Sequence, residues 1–176
     1  MKMLKNKKAL STVVTTLIVL VVSVLLATVV TFYAINVTTT RVQEESLQIT
    51  NLHVWCDSSG TASAAFVITN TGGRDAVIDK ITIRGVKVTD IWYNVTTGTP
   101  DPGYYGNSDD LNATGYYTKL GAGEYLILRS GSRMVVYLFG LNHISTSDIG
   151  VTIGVVVFTA NAQYHKETNV EAAPTS

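Results

Sequence analysis

Two hydrophobic patterns divide this chain. From Ala9 to Thr40 there is no charged side chain, and the residues from 9 to 35 are mostly apolar. As a helix that run would extend about 40 Å at about 1.5 Å per residue, beyond the roughly 30 Å of a bilayer's hydrocarbon core. After residue 46 the period changes to two. Ala64/Phe66/Ile68, Ile81/Ile83, Met134/Val136/Leu138 and Val151/Ile153/Val155/Val157 alternate with other residues, as half-buried strands do. Asp57-Ser58-Ser59-Gly60, Asn70-Thr71-Gly72-Gly73 and Gly121-Ala122-Gly123 supply turns. Strands are predicted at 47–56, 61–69, 76–84, 86–93, 125–129, 134–141 and 151–160. Gly154, inside the last of these, predicts a bulge or a close contact. The expected fold is α+β: a long N-terminal hydrophobic helix followed by an all-β, immunoglobulin-like sandwich head. The division is a basic segment 1–9, a helix 10–46, a head 47–163 with a Tyr-rich insert at 94–119, and a polar C-terminal tail 164–176.

A charged side chain costs about 2.5–3.5 kcal/mol at a bilayer centre, so the clean run is a membrane element. Lys2, Lys5, Lys7 and Lys8 crowd the residues before it and belong on the cytoplasmic side, which places everything after Arg41 outside the cell. The run is too long for the h-region of about 7–15 residues in a cleaved secretory signal. A helix apolar all round needs lipid or other helices around it. Its polar atoms are hydroxyls, from Ser11, Thr12, Thr15, Thr16, Ser23, Thr28 and Thr31, which can bond back to carbonyls one turn earlier. Ser23, Ala27 and Thr31 form a small-xxx-small ridge, suited to close helix packing in apolar surroundings.

The junction itself is informative. Lys7-Lys8-Ala9 followed by Leu10-Ser11-Thr12-Val13-Val14-Thr15-Thr16-Leu17-Ile18 resembles the class III signal peptide of archaeal type IV pilins and archaellins, most of all an archaeal adhesive pilin. The resemblance implies that a prepilin peptidase recognises Lys7 and Lys8, cleaves after Ala9 and leaves Leu10 as the mature N-terminus. Bacterial type IV pilins carry glutamate at the fifth mature position, which Val14 occupies here; this agrees with the archaeal branch. Phe66-Val67-Ile68-Thr69-Asn70-Thr71-Gly72-Gly73 before Ala76-Val77-Ile78 also resembles the strand–Asn-x-Gly–strand pattern of heads in that family. The resemblance implies a self-assembling helical homopolymer built through the N-terminal helix. It also implies an assembly ATPase, a membrane platform protein, and a path from cytoplasmic membrane to cell-surface filament. An archaellum subunit serving motility, a minor pilin, and a membrane-anchored binding protein that never polymerises remain alternatives.

Composition narrows the rest. The full chain has 13 basic and 13 acidic residues; loss of the four leader lysines leaves nine against thirteen, a net charge of −4 with histidines neutral. No basic stripe is present, so nucleic acid is not an expected partner. Cys56 is the only cysteine, which excludes an intrachain disulfide and reads as a small buried apolar residue. The long insert carries Tyr104, Tyr105, Tyr116 and Tyr117, amphipathic groups suited to a binding surface. They are candidates for adhesion, with packing onto their own sandwich as the competing expectation. Asn36, Asn94 and Asn112 each begin an Asn-x-Thr sequon, a glycosylation signal on the exported side; a loop setting is expected for Asn94 and Asn112. His53 and Cys56, three apart on a strand, face opposite ways and make a poor metal pair. His143 and His165 have no ligand companions, and Asp101, Asp109 and Asp110 follow no calcium-loop spacing. Nucleophile elbow, P-loop and dinucleotide fingerprints are absent from the sequence. No enzyme activity, cofactor or metal is expected.

Overall fold

A computed structural model describes residues 7–42, 44–98 and 101–174. The chain divides into two compact units at the 42/43 boundary. The first unit is α1, Lys7–Val42; the leader residues before Lys7 lie outside the described part. The helix begins earlier than predicted and runs across the expected Ala9–Leu10 junction. Lys and Ala are good helix formers, and no Gly or Pro interrupts them. It also stops at Val42 rather than near Ser46, after a stretch of β-branched Thr38, Thr39 and Thr40 that favours helix poorly.

The second unit is the head. Its elements are β1 Leu47–Cys56, β2 Ala62–Asn70, β3 Ala76–Ile83, β4 Val86–Lys87, β5 Asp90–Thr96, α2 Ser108–Ala113, β6 Thr118–Lys119, β7 Leu126–Leu128, β8 Arg133–Phe139, β9 Thr152–Thr159 and β10 Gln163–Ala172. Among the described residues the strands pair in the order β4-β3-β9-β10-β1-β2-β8-β5-β6, with β7 also on β3. All these ladders are antiparallel except β1 with β10, where Val54–Cys56 runs parallel to Val170–Ala172. That parallel ladder joins two layers that face each other across one core. Ala64, Phe66, Ile68, Met134, Val136 and Leu138 come from one side, and Ile81, Ile83, Ile153, Val155 and Val157 from the other.

Two expectations change, and of the two readings of Gly154 one holds. The strand predicted at 86–93 is two strands: β4 closes a hairpin on β3 through Arg84 and Gly85, both at positive φ, and β5 then joins the opposite layer beside β8. The polar tail predicted from 164 onward is largely β10, which pairs with β9 from Gln163↔Phe158 to Asn169↔Thr152. Its residues are mostly exposed on both faces, so no hydrophobic alternation marks it; residues 175–176 lie outside the described part. Gly154 keeps regular register opposite Glu167 and is a close contact, not a bulge. A Cβ there would stand 2.5 Å from His165 Nε2.

Where the chain enters the head it is gripped from both layers. The turn after β2 donates Thr71 N–H and Gly72 N–H to the Ser46 carbonyl (2.9 and 3.2 Å) and Gly73 N–H to the Glu44 carbonyl (3.2 Å). From the other layer Asn161 Nδ2 donates to Glu45 Oε2 at 2.8 Å, and the Tyr164 hydroxyl to the Glu45 carbonyl at 3.2 Å. These bonds take the backbone of 44–46 out of any helix. Gly72 is required by contact: a Cβ would lie 2.5 Å from Glu44 O and 2.6 Å from Ser46 N. Asn70, fully buried, sets the turn by donating to Arg74 O and Leu128 O and accepting from Gly72 N–H.

Candidate functional surfaces

The helix surface comes first. Within α1, Leu10–Thr38 is long and apolar enough to cross a membrane, and none of it is buried. Ser23, Ala27 and Thr31 recur every fourth residue along one side, as one helix face requires, and all three are exposed. The hydroxyls are satisfied within the helix: Ser23 Oγ donates to Val19 O at 2.7 Å, Thr28 Oγ1 to Val24 O and Thr31 Oγ1 to Ala27 O at 2.8 Å, and Thr15 Oγ1 to Ser11 O at 2.8 Å. No hydroxyl of this group therefore needs a partner outside the helix, and the face it presents is sterically small and effectively apolar. Lys7, Lys8 and Ala9 form the first described turn of α1.

The second surface is the outer face of the β1-β2-β8-β5 layer. It carries Trp55, Ala65, Val67, Trp92, Val135, Tyr137 and Phe139, a second buried cluster separate from the inter-layer core. The insert between β5 and β6 covers it. Leu111 of α2 is fully buried in this cluster, and Tyr104, Tyr105 and Tyr117 pack on its margin. Tyr105 and Tyr117 meet the Tyr137 ring edge-on at 5.4 and 5.2 Å, and Tyr104 meets Trp55 at 5.6 Å, geometries that aromatic quadrupoles favour. The Tyr137 hydroxyl donates to Gly103 O at 3.0 Å, and burial, with Tyr117 beside it, pushes that phenol well above its ordinary pKa. The insert is thus a third layer. Of its four tyrosines only Tyr116 points outward, at 76% exposure. Leu111→Ala is expected to cost about 2–5 kcal/mol, as truncation of a buried leucine does, and to speed hydrogen exchange in the insert ahead of the inter-layer core.

The remaining candidates disperse. Asn36 lies exposed in α1, Asn94 lies half-buried in β5 opposite Val135, and Asn112 is exposed in α2. Neither of the last two sits in a loop, contrary to the sequence expectation. Asn112 is the better-presented acceptor, so mass spectrometry of the protein isolated from its native cells is expected to find a glycan on its peptide before that of Asn94. Cys56 is buried in the core, and burial, followed by Asp57 and Asp148, raises its thiol pKa. His53 faces outward, stacked on Trp55 at 5.3 Å with Nδ1 3.1 Å from Glu171 Oε1 and Nε2 4.0 Å from Asp101 Oδ1. The carboxylates meet opposite ring nitrogens and do not converge on one point. His143 accepts at its carbonyl from Arg84 Nη1, and His165 lies 3.8 Å from Glu167. Asp109 and Asp110 occupy the first turn of α2, where Asn107 Oδ1 caps Asp110 N–H at 2.9 Å. No cluster of three or more His, Cys, Asp or Glu side chains able to hold a metal occurs among the described residues.

What sequence reasoning missed is the double coverage of β2 and β8. Ala62–Asn70 and Arg133–Phe139 are buried along nearly their whole lengths, and their unbroken small and apolar residues were the available signal, since a strand covered on both faces loses its alternation.

No family model and no curated protein matches this chain. Among solved structures it is similar to the ligand-binding region of Serine-glutamate repeat protein A (SgrA) of Enterococcus faecium, at 12% identity over 75% of this chain and 99% of that one, with a TM-score of 0.29. A likeness that remote bears on neither fold nor function.

Proposed function

We propose that this chain is a structural subunit of an extracellular archaeal type IV pilus, polymerising through α1 and contributing to adhesion. The observation that carries this reading is the unburied apolar helix Leu10–Thr38, directly behind the Lys7-Lys8-Ala9 junction. Such a helix must be surrounded by apolar matter, which lipid supplies before assembly and sister helices supply after it. Exchange between two dry environments is near neutral in hydrophobic free energy, so an assembly ATPase acting through a membrane platform protein would drive extrusion. A prepilin peptidase would act first, removing the basic leader from the cytoplasmic side. The helix then needs no chemistry from the head, and the head is left to face the medium.

The head's contribution to adhesion falls on Tyr116, because Tyr104, Tyr105 and Tyr117 are engaged by the second cluster. Tyr116→Ala is expected to lower attachment of cells to surfaces at unchanged pilus number. Equal attachment by wild type and variant removes the adhesive role. Shearing of intact cells tests the polymer itself: the chain is expected in the sheared filament fraction, with those filaments absent from a deletion strain. Recovery only in the membrane fraction overturns the proposal.

A further inference from the structure

The bonds around 44–46 and the course of β1 have a mechanical consequence. The head follows α1 in the chain, so a pull transmitted along the backbone from α1 enters the described head at Glu44. From there β1 runs from Leu47, at the pole where the chain comes in, to Cys56 at the opposite pole. It lies between β2, registered from Leu47↔Asn70 to Cys56↔Ala62, and β10, registered over Val54–Cys56.

We propose that the head is built to carry tension through its first strand, with the grip on 44–46 acting as the lock that must break before β1 moves. Bonds between antiparallel strands lie perpendicular to the strand axis. A pull along β1 against a point held at the far pole therefore strains the whole β1–β2 ladder together. A pull between two points at the same pole strains those bonds one after another. The lock adds bonds from both layers at the loaded end: Thr71, Gly72 and Gly73 from one, Asn161 and Tyr164 from the other. Thr71 Oγ1 to Ser46 Oγ at 3.0 Å completes it. Because Asn161 and Tyr164 belong to the β9–β10 layer and Thr71 to the β1–β2 layer, the lock also ties the layers together across the end where they would otherwise part. This inference concerns the head alone and stands or falls independently of polymerisation.

The test is force spectroscopy of the full chain in detergent micelles, held at its N-terminus and at a second site. Asn142→Cys places that site at the far pole, beyond β8, and Arg129→Cys places it at the near pole; both residues are exposed, and Cys56 is buried. The rupture force is expected to be higher for the Asn142 attachment. Asn161→Ala with Tyr164→Phe, which spares the core, is expected to lower that force toward the Arg129 value. Equal forces in the two geometries overturn the proposal. So does a doubly substituted head that ruptures at the wild-type force.

Discussion

Asn70→Ala is expected to destabilise the head by about 2–4 kcal/mol, because it strands buried polar groups that had partners. The Asn70 side chain is wholly buried and makes three bonds: Nδ2 to Arg74 O at 2.8 Å, Nδ2 to Leu128 O at 2.9 Å, and Oδ1 from Gly72 N–H at 3.0 Å. Leu128 is itself fully buried, so its carbonyl loses a donor with no water to replace it. The turn that presents Thr71, Gly72 and Gly73 to 44–46 loses its template in the same step. Denaturant titration of the full chain in micelles checks the magnitude, since a fall in midpoint at constant slope reports stability alone. A shift within the usual range of a surface substitution would show that the turn holds itself. Asn70→Asp is the informative companion, because it keeps the acceptor for Gly72 N–H and removes both donors.

Replacing Ser23, Ala27 and Thr31 together by leucine is expected to abolish surface filaments while leaving the membrane-inserted pool unchanged. All three substitutions are apolar, so insertion into lipid suffers no penalty. Their effect is steric: the small ridge lets helix backbones approach closely, and leucines hold them apart. The native hydroxyls of Ser23 and Thr31 bond to carbonyls of their own helix, so no interhelical hydrogen bond confuses the result. Quantification of sheared filaments against membrane-associated protein checks it. Normal filament yield would detach this ridge from assembly and leave the rest of the helix surface to account for packing.

The helix was the most legible element because one physical fact, the absence of charge over more than seven turns, determines it. Its ends were less legible. The polar run past Ile35 placed the finish near Ser46, but Glu44 and Ser46 give their carbonyls to the turn at 71–73, a tertiary competitor that no local pattern announces. Strands with one wet face, such as β9, announced themselves by alternation. β10 did not, since Gln163, His165, Lys166 and Glu167 are exposed although they belong to a regular strand. The insert was ambiguous in another way. Four tyrosines in a polar loop read equally as a binding surface or as a cover, and the choice depended on whether the strand face beneath was wet. Val67, Val135 and Phe139 on that face held the answer, once their pairing in β2 and β8 is known.

In the proposed pilus subunit, Leu10 starts the mature chain and freed helices pack on one another. N-terminal sequencing of filaments sheared from cells tests this most directly. The expected chain begins Leu10-Ser11-Thr12-Val13, with no trace of Lys7-Lys8-Ala9. Surface protein that still begins at Met1, recovered as a membrane-bound monomer, would contradict it.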